Sequence, residues 1–452
     1  MKRRNFLAAA LVAPTLWIPR VSRGATPRFG TIDHVLVLFA KGGLRSHAVF
    51  NAVGSHRHNP WATQPVQSGT AWKLGAACGA ADIATSSFGI IPGLAKVTND
   101  VAVLACVDHT PSAAPDDGHD SAAYRMAGGD ATSEPGLLTR IGRDLPRYAN
   151  GFSLAAMPPV EISASEFGTG QGEWARARPI QIRDPAERFG TSGTLGKGWK
   201  IAAREANAAR FVAGRPSAYQ NRIAGYNDAK HNTAVFAPVL GDPLIDVLGS
   251  AATTAAGVSN GQLIEVLGNY LMDEVGDPQG AGTRSFGSGV ALALRFFQFG
   301  SPMAVVTRAH FDLHINEDKS FPPRTADLVR QLAGLRFLLK QMTHPKGGAY
   351  WDRTVVTVVS EFSRNNTTDA TGFNSGRGSD HNTDQPNPFR NQAIAVMGGP
   401  IRGGQLFGST DAAMAPTGTV YSSRRLLSTV MDLVGLSHTP YWSDTPIAEL
   451  LA

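Results

Sequence analysis

The chain has 452 residues, a formal charge of +6 and 42% hydrophobic residues, enough for a sizeable core in one large α/β domain or two average ones. Lys2, Arg3, Arg4, Arg20 and Arg23 supply +5 of that charge, so the part after Ala25 is close to +1. No basic cluster interleaved with aromatics survives there, which excludes nucleic-acid binding, and the 49 glycines and 28 prolines follow no collagen-like or low-complexity period.

Lys2, Arg3 and Arg4, then Asn5, Phe6 and Leu7, open an apolar run from Ala8 to Ile18 that closes on small residues near Ser22-Arg23-Gly24-Ala25. This pattern predicts a signal peptide over 1–25, too short and wrongly flanked for a membrane span. The paired arginines predict the twin-arginine type, with the translocase as export partner and a periplasmic or secreted product. Residues 26–452 read as a single domain.

A nearly continuous apolar run, Ile32 to Phe39, predicts a first strand buried on both faces and ending at Gly42-Gly43. An irregular stretch follows over 51–90, then a short helix signal from Pro92 to Thr98. Further buried strands are expected over 101–107, 303–307, 354–359 and 393–397. Amphipathic helices are expected over 262–273, 289–297, 325–342 and 424–436, the third with Leu328, Leu332, Leu335, Leu338 and Leu339 on one face. Residues 150–250 show weak periodicity and read as a helical insertion or cap. Alternating buried strands and amphipathic helices predict an α/β fold, a mostly parallel central sheet with helices on both faces. Cys78 and Cys106, the two cysteines, either pair or stay as buried thiols; their spacing does not decide.

Ligands of open parallel sheets bind beyond the carboxyl ends of the strands, and there the polar residues concentrate. The strand at 303–307 runs into Asp312 and His314. That at 354–359 runs into Glu361 and Arg364. A glycine-rich loop before 393–397 carries Arg377, Asp380 and His381, and beyond 101–107 come His119, Asp120 and Ser121. Mixed Asp, Glu and His donors suit one Zn²⁺, Mn²⁺ or Fe ion better than Ca²⁺. Asp312 and His314 alternate on an extended segment, so both can face one ion, with Glu361 and Asp380 or His381 completing the shell.

The motifs also resemble those of a family: twin-arginine-exported, sulfatase-like proteins of unknown function in the alkaline phosphatase superfamily. Phe311-Asp312-Leu313-His314 is similar to the family's W-D-T-H, Ser360-Glu361-Phe362-Ser363-Arg364 to its S-E-F-G-R, and Ser379-Asp380-His381-Asn382 to its T-D-H-G. The stretch from Gly398 to Gly408 resembles its glycine-rich close. The resemblance implies an alkaline-phosphatase-like fold and divalent metal at the carboxyl edge, cleaving phosphate or sulfate esters. By the same resemblance Arg364, Arg377 and His119 contact an anionic ester, and Ser121 is a candidate nucleophile, with helix capping as its alternative role.

Two departures stand out. Where the family has an aspartate after its first strand, this chain reads Gly42-Gly43-Leu44-Arg45-Ser46, and Phe362 follows Glu361 where a ligating His is common. A two-metal site is therefore not expected; one ion, or none, is. The sequence supports an extracytoplasmic metal-dependent ester hydrolase, and as its alternative a catalytically degenerate member that binds a surface polymer or partner.

Overall fold

The computed structural model describes residues 32–52, 63–64, 71–75, 78, 81–109, 119–129, 134–145, 157–163, 165–182, 237–268, 271–272, 283–284, 286–309, 311–313, 317–364, 391–411 and 416–452. The expected signal peptide, His314, Arg377, Asp380 and His381 lie outside these residues, as does 183–236 of the expected insertion.

Among the described residues, nine strands build the central sheet: β1 (His34–Ala40), β2 (Val101–Asp108), β3 (Val160–Ile162), β4 (Ile180–Ile182), β5 (Met303–Arg308), β6 (Thr354–Val359), β7 (Gln392–Gly398), β8 (Leu406–Phe407) and β9 (Tyr421–Ser422). Their order is β8-β2-β7-β6-β1-β5-β3-β4, and β9 also pairs with β2. Every neighbouring pair is parallel except the two made by β7, which runs against β6 and β2. The sheet is thus mostly parallel, as its apolar runs imply.

The main helices are α1 (His119–Met126), α2 (Leu137–Asp144), α3 (Asn260–Leu267), α4 (Phe286–Gln298), α5 (Glu317–Gln341) and α6 (Ser423–Leu433). Side chains alternate across a strand, so each central strand feeds two cores. Leu36 and Leu38 of β1 join Ala304 and Val306 of β5 against α3, α4 and α5. Val35, Val37 and Phe39 join Met303 and Val305 against α1, α2 and α6. Burial on both faces is why these strands read as continuous apolar runs.

Three expectations change. The 92–98 signal forms two short 3₁₀ turns, Leu94–Lys96 and Thr98–Asp100, rather than an α-helix. Within the 150–250 stretch, β3 and β4 extend the sheet; three-residue strands are too short to show a period. Helix α5 begins two turns before the expected 325, because Pro322 and Pro323, which signal a break in sequence, lie inside it. Cys78 and Cys106 are both buried free thiols. Among the described residues, no helix is long and apolar enough to cross a membrane.

Candidate functional site

The carboxyl ends of β1, β2, β3, β5 and β6 share one edge, and because β7 is antiparallel its start lies there too, Gln392 opposite Val107. This places Asn391, just before β7, on the carboxyl edge; a parallel β7 would have put it at the opposite side.

Three of the expected residues meet at one point on this edge. His119, the first residue of α1, turns Nδ1 to Glu361 Oε1 at 2.7 Å and Nε2 to Asp312 Oδ2 at 3.3 Å. Burial opposes a charge on His119, but hydrogen bonds to Asp312 and Glu361 and the attraction of both carboxylates outweigh it and raise the imidazole to about 9. At neutral pH the ring is an imidazolium held between two anions.

Glu361 is fully buried. Beyond His119, its Oε1 accepts the Gly42 N–H at 2.7 Å and its Oε2 accepts from Ser360 Oγ at 3.1 Å. Arg364 is equally buried, its guanidinium donating to the carbonyls of Gly43 at 3.0 Å and Gly42 at 2.5 Å and pairing with Asp312 Oδ1. Arg364 therefore clamps the loop after β1 to the loop after β5; that cation lies under the site instead of on its surface. Ser121 stands two residues after His119, about 200° round α1, and so does not share its direction.

The departures after β1 have a structural reason. Leu44 is core, and Arg45 is buried in a two-bond pair with Glu317, Nε to Oε1 at 2.9 Å and a terminal nitrogen to Oε2 at 3.0 Å. The loop after β1 thus supplies no acid of its own.

Beside the cluster is a second polar group that the sequence reading missed. Lys41, next to Gly42, pairs with Glu166 from the loop after β3. That loop is held from beneath by Glu161 on β3, whose Oε1 accepts from the Ser165 hydroxyl at 2.6 Å, the Ser165 N–H at 3.0 Å and the Gly168 N–H at 3.1 Å. Its Oε2 accepts from Gln181 at 2.7 Å. Burial pushes Glu161 up to about 7 in spite of these donors. Lys41 and Glu166 are 125 residues apart, and neither sits in a spacing that signals a site.

The donors suit a metal in type. A histidine with one nitrogen toward a carboxylate and the other fixed by a second carboxylate is the arrangement of an oriented metal ligand. Asp312 and His119 would be the ligands and Glu361 the orienting group. Among the described residues, no group of three or more His, Cys, Asp or Glu is arranged to hold a metal ion.

The class defined by this fold and site is an α/β protein with a buried, charge-paired polar cluster at the carboxyl edge of a mostly parallel sheet. Residues 262–444 match the family model DUF1501, described as a protein of unknown function. No curated protein matches the chain. Among solved structures, the PsFucS1 sulfatase from Pseudoalteromonas sp. is similar at 13% identity, covering 100% of this chain and 76% of that one, with a TM-score of 0.39. A protein in the alkaline phosphatase superfamily from Vibrio parahaemolyticus is similar at 9% identity over 96% of this chain and 76% of that one, TM-score 0.33. The lipoteichoic acid synthase LtaP from Listeria monocytogenes is similar at 9% identity over 97% and 79%, TM-score 0.33.

Proposed function

We propose that this protein is a metal-assisted hydrolase of sulfate or phosphate esters, exported by the twin-arginine route and acting outside the cytoplasm. The observation that carries the reading is the convergence of Asp312 and Glu361, from beyond two different strands, on His119 from beyond a third, at 3.3 and 2.7 Å.

Charge favours an added cation. Asp312, Glu361, imidazolium His119 and Arg364 sum to zero, and a neutral cluster has little attraction for an anionic ester. A divalent ion in place of the imidazolium proton gives the cluster a net charge of about +1. Such an ion would polarise the ester oxygen and lower the pKa of a bound water. Glu361 keeps His119 oriented by accepting from Nδ1, and Arg364 keeps Gly42 and Asp312 in register. Because Ser121 does not share the direction of His119, this reading assigns the attacking oxygen to water.

The ion pair between Arg364 and Asp312, together with Leu44 and Arg45 in place of an acid, favours a second reading, a member that binds an anionic polymer without cleaving it. Elemental mass spectrometry of the mature protein separates the two. The hydrolase reading expects about one zinc, manganese or iron per chain, lost in Asp312→Asn and His119→Gln and weakened about 10- to 100-fold in Glu361→Gln. Natively purified protein without stoichiometric metal would overturn it and leave the binding protein.

A further inference from the structure

The turn after β3 is built around a buried acid. Glu161 is fully buried, and the backbone of the turn folds back over its carboxylate. Oε1 accepts from the Ser165 hydroxyl and from the N–H groups of Ser165 and Gly168, and Oε2 accepts from the Gln181 amide. The approach is close: a Cβ on Gly168 would lie 2.5 Å from Oε2 and 2.8 Å from Cδ and Oε1. The turn leaves β3 through Ser163 at φ +61°, a left-handed backbone that persists at a non-glycine residue only where its surroundings hold it. Here the Glu161 carboxyl group is what holds it.

All four donors to Glu161 are neutral. The charged groups on the turn and on the elements packed against it are Glu166, Lys41, Arg178, His119 and Arg125 on α1, and Arg140 on α2. None of them bonds Glu161: Lys41 pairs with Glu166, Arg178 donates to the Gly168 carbonyl at 3.1 Å, and His119 reaches Glu361 and Asp312. A carboxylate buried without a cation is costly. A neutral acid fits the same place. Its Oε1 keeps the three donors of the turn, and a proton taken from solvent onto Oε2 is donated to Gln181 Oε1 once that exposed amide turns over. Burial outweighs the donors and raises the closed acid to about 7, against 4.5 for an unperturbed one. The closed turn therefore binds the proton more tightly than the open turn, and by linkage the proton favours closing.

We propose that Glu161 and Gln181 form a proton-operated latch: the turn over 163–168 is held more tightly when Glu161 is a neutral acid and opens more readily when it is a carboxylate. The latch bears on the charged cluster. Its turn carries Glu166 to Lys41, whose carbonyl accepts from the Phe311 N–H at 3.1 Å, one residue before Asp312, and the next residue, Gly42, donates to Glu361. Falling pH thus fixes this side of the cluster and rising pH loosens it. The latch is independent of whether the protein cleaves an ester.

Amide hydrogen exchange of the segment 163–169, read by mass spectrometry on the whole mature chain from about pH 8.5 to 5.5, tests this. The readout is the protection factor, from which the intrinsic pH dependence of exchange has been removed. In the wild type, protection should be level above about pH 8 and rise by up to about tenfold per pH unit below 7. Glu161→Gln copies the neutral acid, with its amide nitrogen on Gln181 Oε1. It should be level across the range and better protected than the wild type at the alkaline end. Gln181→Lys brings an ammonium to Oε2, favours the carboxylate and should flatten the slope by the opposite route, so it decides the matter where Glu161→Gln does not fold. Wild-type protection that is level throughout or falls with acid overturns the latch. So does a slope that survives Glu161→Gln, or that survives Gln181→Lys where only that variant folds.

Discussion

At the scale of single residues, the buried ion pairs decide what the loops can do. Arg45 and Glu317 are each 1% exposed, and their two-bond contact ties the loop after β1 to the first residue of α5. Removing one partner leaves a buried charge without compensation, whereas replacing both with apolar side chains leaves none. Arg45→Met is therefore expected to cost about 3–5 kcal/mol in urea unfolding, and the double variant Arg45→Met, Glu317→Leu to recover most of that loss. A double variant no more stable than the single one would show that the pair matters through its shape and hydrogen bonds. Nothing in the sequence hints at this pair: from its position, Arg45 looked like a missing metal ligand, and burial with a partner 272 residues away cannot be read from spacing.

At the scale of elements, the site depends on two loops crossing at backbone contact. Gly42 has φ +121°, and a Cβ there would lie 2.3 Å from the Asp312 nitrogen and 2.7 Å from the Phe311 carbonyl carbon. Both obstacles are backbone, so neither can rotate away. Gly300, past the end of α4, also has positive φ (+87°) but open space around it. Gly300→Ala should cost about 1 kcal/mol, the left-handed strain alone. Gly42→Ala adds overpacking and should cost about 3 kcal/mol or more; equal urea midpoints for the two would refute the crossing as the cause. The strands feeding these loops were legible because two-sided burial writes a continuous apolar run. Strand direction was not, since an apolar run reads the same both ways, and the antiparallel β7 emerges only from its pairing with β6 and β2. Asp312 and Glu361 were legible as strand-end acids. Lys41, Glu166 and Glu161 were not, because their meeting depends on the short strand β3 lying next to β5.

Across the whole molecule, three buried histidines set the response to acid. The Lys346 N–H donates to His344 Nδ1 at 3.1 Å, so the proton of His344 sits on Nε2 and is donated to His34 Nε2 at 3.2 Å, and His34 Nδ1 donates to the Ser301 carbonyl at 2.8 Å. The chain is complete only with both rings neutral. Burial lowers His34, His344 and His47 to about 4 each, His34 and His47 in spite of backbone hydrogen bonds and His344 in spite of nearby Asp33. The unfolded chain takes up these protons near pH 6.5, and the folded one does so only near 4. The contribution of these three rings to stability is therefore full above 6.5 and falls as pH drops through that window, by up to about 1.4 kcal/mol per pH unit for each histidine, while Glu161, raised to about 7, offsets about one of them. Asp33 is held below its ordinary value by Lys346 although burial opposes it, and so titrates below this window. His344→Gln keeps a donor toward His34 and removes one titrating ring, so urea midpoints measured from pH 7 to 4.5 should fall less steeply in the variant. Parallel slopes would mean that His344 takes up its proton at the same pH in the folded and unfolded chain and contributes nothing to the acid response.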